Sequence, residues 1–380
     1  MFILSPACIL FSSACKVRYE PPSTSGNIGY LVVDGILNNS TDSTFIRVSR
    51  TRKLDSNLVN SGEKNAQITV EDKAGNTLYS FMQLSNADGI YTVPGMSLSY
   101  GDNYRLRIKT TNGREYVSDD IPVQPSPLID SISWRKNDTG LTIYANTHDQ
   151  LNATKYYRWD YTETWQYHAA YISVYKYQDY GSFVPRLPED LIYECWKTRD
   201  SKALLLFSTD KLAEDIVYEK PLRFIPANSI ELEIKYSIIV RQYTLSKEAY
   251  EYLQNLAKNT ELTGSIFDAQ PMELTGNMHE VNDPAEPVLG YVTACTIDAR
   301  RIYIRKDEVQ PWNYIYQCSK FRAPSYPASA VAYLFDEYGG NIPIDYAHTS
   351  ARPDSMLASA KECVDCRVQG GVLKKPGFWQ

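Results

Sequence analysis

A mainly β fold follows from three features of the chain. Apolar and aromatic side chains alternate with period two in most segments, an Asn-Gly pair separates two alternating segments, and one stretch shows clear helical spacing. Alternation marks strands because successive side chains point to opposite faces of a sheet, so one face is buried while the other meets water. The pattern predicts an immunoglobulin-like β-sandwich over 29–124, a larger antiparallel β domain over 125–345 with one or two short helices, and a tail over 346–380.

In the first region LVVDGIL, from Leu31, is a short apolar run closed by the loop NNSTDS. AQITVED and NTLYSF flank the turn Lys73-Ala74-Gly75, and NYRLRIK alternates cleanly up to Asn112-Gly113. Asn-Gly is a strong hairpin signal because both residues tolerate positive φ. VQPSPLID, with Pro125 and Pro127, marks the domain boundary: proline removes a backbone donor and stiffens the chain.

The second region holds the densest run of rings, YYRWDYTETWQYHAAYISVYKYQDY. Tyr157, Trp159, Tyr161, Trp165, Tyr167, Tyr171, Tyr175 and Tyr177 all fall on odd positions, with Arg158, Asp160, Thr162, Thr164, Gln166 and His168 between them. The rings therefore share one face of extended chain, with a break expected near His168–Ala170 because strands rarely exceed about ten residues. IELEIKYSIIV repeats the alternation from Ile230 to Val240. Ser246 caps a helix over 246–259, where Ala249, Leu253, Leu256 and Ala257 recur at helical spacing, and TDKLAED reads as a shorter helical turn. GYVTACT and RRIYIRK read as two further strands.

Composition narrows the function. The chain has 380 residues and a net charge of -6, with no cluster of Lys or Arg, which argues against nucleic-acid binding. There are 30 Tyr against 11 Phe and 6 Trp, an excess that suits half-buried strands or a face that stacks on a ligand. Tyr157, Trp159, Tyr161, Trp165 and Tyr167 are the candidates for such a face, with Phe378 and Trp379 as a second pair that docks on the body or inserts into a partner. A sheet must bury one face somewhere, so the inner wall of the second domain competes with the ligand platform. His148, His168, His279 and His348 form no metal-binding spacing, and no phosphate loop, nucleophile elbow or cofactor motif occurs. Asp268 and Glu273 read as turn formers rather than an acid/base pair.

The segment MFILSPACILFSSAC is apolar through Phe11 and then small up to Cys15. It is too short to span a bilayer and reads as a signal peptide over 1–14, with Cys15 acylated after cleavage as in a bacterial lipobox. The polar KVRYEPPSTSGN then serves as a lipid-anchored tether over 15–28.

With Cys8 lost and Cys15 acylated, Cys195, Cys295, Cys318, Cys363 and Cys366 remain. In an oxidising envelope four of them pair, with Cys295, inside a strand, as the free one. Cys195, Cys318, Cys363 and Cys366 allow three connectivities. A long bridge from Cys318 to Cys363 or Cys366 constrains the unfolded chain by about 4 kcal/mol, against roughly 2 for a Cys363–Cys366 bridge. The pair Cys363–Cys366 lacks the partner ligands of a zinc site and the helix of a thioredoxin-like site, so a staple is expected rather than a metal clamp or a redox switch.

TLSKEAYEYLQNLAKNTELTGSIFDAQPMELTGNMHEVNDPAEPVLGYVTACTIDARRIYI, together with ECVDCRVQGGVLKKPGFW, resembles a Bacteroidota lipoprotein family known as domain of unknown function, family 4249. The resemblance covers most of the mature chain. It implies an outer-membrane lipoprotein, often encoded beside a TonB-dependent transporter, and it implies no activity. The resulting expectation is a non-enzymatic lipoprotein at the cell-surface side of the outer membrane, a substrate-binding or accessory partner of such a transporter, without cofactor or metal. Two other classes compete with it: an envelope assembly factor that binds protein, and a hydrolase whose carboxylates converge in a pocket.

Overall fold

A computed structural model describes residues 29–52, 62–178, 182–261, 274–323, 327–336, 339–347 and 355–380. The signal segment 1–14, Cys15, the tether over 15–28, Asp268, Glu273 and His348 lie outside the described residues. The fold is mainly β, with several antiparallel sheets and three α-helical segments among these residues.

The first region folds as its alternation requires. Leu31–Asn38 and Thr44–Arg50 pair antiparallel, and Asn103–Lys109 pairs with Gln67–Glu71, Glu115–Ser118 and Ile121–Gln124. Leu31, Val33, Ile46, Val48, Leu106 and Ile108 meet in one buried core. The outgoing chain leaves this unit near Pro125, but the domain boundary differs from the expected one because the chain returns. Met278–Glu280 pairs with Glu115–Ser118, and Thr293–Cys295 inserts parallel between Ile36–Asn38 and Val123–Gln124. Residues 278–295 therefore belong to the first unit and not to a continuous second domain over 125–345. Their own chemistry explains this: Met278, Val288, Val292 and Ala294 complete the first core. The close approach needs glycine, since a Cβ on Gly290 would come within 1.8 Å of the Val33 carbonyl.

The second unit sets a three-stranded sheet, Ile129–Asn137, Gly140–His148 and Ile216–Pro226, against a five-stranded one. The larger sheet runs in the order Glu194–Asp200, Tyr156–His168, Lys235–Thr244, Asp298–Arg305, with Leu205–Ser208 beside the start of the aromatic strand. Side chains of both sheets share one core. The aromatic strand Tyr156–His168 is 13 residues long and stops at His168, where the break was expected.

Two local expectations fail for identifiable reasons. TDKLAED forms no helix, because the Thr209 hydroxyl donates to Asp215 at 2.5 Å and the Tyr157 hydroxyl donates to its other oxygen at 2.6 Å. That carboxylate organises a turn instead. IELEIKYSIIV is not one strand: Ile230–Leu232 is a single 3-10 turn held by the Trp312 indole donating to Ser229, and the strand begins at Lys235. The helix Lys247–Glu261 does form, and Ser246 caps it by accepting from the Ala249 N–H at 3.1 Å.

Within the expected tail over 346–380, the described residues 355–380 form a folded layer. Ser355–Ala360 is the middle strand between Phe321–Arg322 and Asn341–Ala347, and it leads into the helical turn Lys361–Val364 and the 3-10 turn Cys366–Gln369. Gly370 ends the latter with φ of 82°. Cys195 is bonded to Cys366 and Cys318 to Cys363, at sequence separations of 171 and 45. The two cysteines three apart thus reach in different directions. Cys295 is free and buried, and burial pushes its thiol up to about 12. Among the described residues no group of His, Cys, Asp and Glu is placed to hold a metal ion.

Loop-closure entropy ranks the bridges at about 5 kcal/mol for Cys195–Cys366 and about 4 kcal/mol for Cys318–Cys363. Asp-N digestion of the unreduced protein, which cuts between Val364 and Asp365, is expected to give a Cys195–Cys366 peptide and a separate Cys318–Cys363 peptide by mass spectrometry. The double variant Cys195→Ser with Cys366→Ser is expected to lose more stability than Cys318→Ser with Cys363→Ser in denaturant titrations.

Candidate functional site

The aromatic strand divides the second unit into an inner and an outer face. Tyr157, Trp159, Tyr161, Trp165 and Tyr167 all point inward and are buried. Their polar tips are used internally: Tyr157 donates to Asp215, the Trp159 indole to Gln242 at 2.9 Å, and Tyr167 to the Cys366 carbonyl at 2.7 Å. Burial pushes the Tyr167 phenol up to about 12. The ligand-platform reading of these five rings is therefore corrected. They share one core with the three-stranded sheet and Cys366, and Lys197 and Arg199 lie over the Trp165 ring.

One inward position carries a charge. Glu163, between Tyr161 and Trp165, is buried and accepts from Arg199 at 2.6 Å, Arg223 at 3.0 Å and the Tyr236 hydroxyl at 2.7 Å. The sequence signal for it was the gap at position 163 in the odd-numbered rings.

The outer face holds the end of the described chain. Trp379 is buried there, with its indole donating to Gln166 at 3.2 Å, and the Tyr303 hydroxyl donates to the Phe378 carbonyl at 2.6 Å. The Arg301 guanidinium lies 3.8 Å from the Phe378 ring centre, and the Lys235 ammonium lies over both Tyr303 and Trp379. Of the two readings for this pair, docking on the protein's own body is what the structure displays.

Farther along the same outer face, where the aromatic strand ends, the surface becomes concave. His168 stacks on Tyr193 at 4.4 Å with an interplanar angle of 12°. Its two ring nitrogens lie 3.6 Å from Glu194 and 3.7 Å from Glu233. The Gln166 amide donates to Glu194 at 2.6 Å, and the Tyr316 hydroxyl donates to the His168 carbonyl at 3.0 Å. Burial alone would raise the Glu233 carboxyl, but hydrogen bonds from His168 and Tyr316 hold it below the usual range. Burial, and then Glu233 itself, pushes the Tyr316 phenol up.

His168, Tyr193 and Glu194 edge a groove of about 450 Å³, walled also by Ile172, Leu191, Trp196 and Leu373. The buried Trp196 indole N–H finds no acceptor among the described residues. Ring faces beside carboxylate acceptors and apolar walls can bind a ligand that combines an apolar surface with hydrogen-bond donors. Sequence reasoning placed His168 only as a histidine without a motif. Its partners arrive through strand pairing (Glu194) and from a turn 65 positions away (Glu233), which no local pattern reveals.

The family model described as Domain of unknown function (DUF4249) matches residues 16–301. The chain belongs to this family. The matched residues of DUF4249 include His168, Tyr193, Glu194 and Glu233 and stop before Tyr316, Cys318, Cys363, Cys366 and Leu373, so one wall of the groove and three bridge cysteines lie beyond the match. No curated protein matches the chain. Among solved structures it is similar to the chicken interferon gamma receptor alpha chain, at 7% identity over 57% of this chain and 90% of that one, TM-score 0.16. It is also similar to the BSP domain of a biofilm-associated protein, at 6% identity over 74% of this chain and 60% of that one, TM-score 0.16. Scores this low carry no argument about the fold or activity of DUF4249.

Two carboxyls near the groove set an acid limit on the folded state. Asp365, beside Cys366, would be raised by burial but is held below its ordinary value by the Arg367 fork, as Glu233 is by its donors. Both give up protons more readily when folded, so the stability they add is present above the ordinary carboxylate range and is lost as pH falls through their folded values. The thermal midpoint followed by circular dichroism is expected to stay level from pH 7 to about 5 and to drop below about 4. Asp365→Asn is expected to flatten part of that drop while lowering the midpoint at pH 7.

Proposed function

We propose that the protein is an outer-membrane lipoprotein, anchored through Cys15 and facing the cell surface, that acts without catalysis as a substrate-binding or accessory partner of a TonB-dependent transporter. The observation that carries this reading is the pair of long-range disulfides. They support an oxidising compartment outside the cytoplasm, and they fasten the last layer of the chain beside the groove. The lipobox-like run up to Cys15 and the polar tether supply the anchor, and the groove at His168 supplies a surface for the substrate or partner. The transporter enters through the family resemblance in the helix-to-strand segment and the cysteine-bearing end.

One observation favours a second reading, a hydrolase: His168 lies between two carboxylates in a concave site, an arrangement that can hold and pass a proton. Turnover of a substrate that is lost in His168→Ala, with the fold intact, would select it.

The first reading is tested in the native membrane. Mass spectrometry of the mature protein is expected to find acyl chains on Cys15, and Cys15→Ser is expected to move the protein to the soluble fraction. After gentle detergent extraction a TonB-dependent transporter is expected to co-purify. An acylated protein recovered alone would remove the transporter and leave the anchor.

A further inference from the structure

We propose that the junction between the two β units is a second binding site, for a small neutral molecule bearing hydroxyl groups. It lies apart from the groove and does not depend on the transporter reading. The junction is where the returning strand of the first unit meets the end of the strand Lys235–Thr244 of the second. Thr293 opens the one strand and Thr244 closes the other. Their residues are 8% and 4% exposed, and neither hydroxyl has a hydrogen-bond partner among the described residues.

A buried hydroxyl left unpaired is costly, and native structures seldom tolerate it without an occupant. Here both unpaired hydroxyls belong to residues that line one cavity of about 40 Å³, together with Gln124, Ser246 and Tyr291. That space exceeds the about 10–15 Å³ needed by a water. A polar group of that size therefore fits the cavity that Thr244 and Thr293 line, and a hydroxyl suits it because it donates and accepts, as each threonine does.

The cavity shares Pro122, Gln124, Thr244 and Ser246 with an outer cleft of about 550 Å³. This lies within the about 300–1,000 Å³ of small-molecule sites, which favour domain junctions. Its walls are largely apolar: Pro125, Pro127, Leu151, Leu245 and Tyr156. Its charges cancel, Lys155 and Lys247 against Asp149 and Glu248. The Asp149 carboxylate is already taken by the N–H groups of Leu151, Ala153 and Thr154, and the Lys155 ammonium by Asn152. At the inner end Asp119 is paired with His279 and Asp120 with Arg105. The outer cleft therefore carries no net charge to select an ion. A compact molecule with an apolar face toward the prolines and one hydroxyl in the inner cavity matches both halves.

The test uses the full chain with D-glucose as probe, read by saturation-transfer NMR and by titration calorimetry. Expected is saturable binding that weakens about tenfold or more in Thr244→Val with Thr293→Val, the loss of a hydrogen bond to each hydroxyl. Thr244→Ser, which keeps the hydroxyl and controls for folding, is expected to bind like the parent, as is the groove variant His168→Ala. Acetate and methylammonium are expected to give no signal. Absence of glucose binding, binding unchanged in the double valine variant, loss in His168→Ala alone, or preference for either ion would each overturn the assignment, as would a crystal soaked in glucose that shows only water at the junction.

Discussion

The buried Glu163 carboxylate is the constraint on which the second unit rests. It sits in the middle of the aromatic strand, on the face that the sheet buries, and it is met by groups from three other strands. Arg199 and Tyr236 flank it within the larger sheet, while Arg223 reaches it from the smaller sheet that covers the rings. Taking a carboxylate out of water is expensive, and the cost is offset only when its oxygens are fully satisfied in good geometry. Three donors from fixed positions do that in one relative placement of the two sheets. A one-residue slip of the aromatic strand would turn Glu163 and the rings outward together and put Thr162 and Thr164 on the buried face. The same contact sets the local electrostatics. Burial alone would lower the Arg223 guanidinium, yet Glu163 holds it above its ordinary value, while burial and Glu163 together keep the Tyr236 phenol neutral.

Once that face is committed inward, the outer face must carry whatever the unit offers to its surroundings. Part of it is closed by the chain itself, through Trp379 on Gln166 and Phe378 under Arg301. The Cys195–Cys366 bridge holds the approach to this segment against the edge strand, where Trp196 and Val372 exchange both backbone hydrogen bonds at 2.9 and 2.8 Å. That pairing covers a strand edge that would otherwise present unpaired amides. The groove at His168 opens where this cover ends, which is why its lining mixes outer-face residues of the sheet with Leu373 from the last segment.

Period-two alternation was enough to read the class of fold and the shared face of the rings, because side-chain direction in a strand is fixed by covalent geometry, and typical strand length pointed to the end of the long strand at His168. The helix cap at Ser246 was legible for a similar reason: a hydroxyl one residue before a helical stripe has a specific donor to satisfy. Partnership was not legible. GYVTACT reads as a strand whichever sheet it joins, and only the apolar demand of the first core and the missing Cβ of Gly290 decide that it returns there. The turn at Asp215 and the 3-10 turn before Lys235 were misread because side-chain hydrogen bonds outweighed local propensity. The groove was invisible because its residues are brought together by register, and the sequence between them carries no trace of it.

The two concavities lie at opposite ends of one element. Tyr156 lines the junction cleft and His168 lines the groove, and the 13-residue strand between them spans about 40 Å at roughly 3.3 Å per residue. Coupling between distant sites needs an element with two arrangements that both ligands bias. This strand is bonded along both edges, its inward side chains are locked in a close-packed core, and Glu163 fixes its register at mid-length. Such a strand has one arrangement. The physical expectation is therefore a rigid body with two independent binding surfaces, in which a small molecule at the junction and a substrate or partner at the groove are held at a fixed distance without altering each other's affinity.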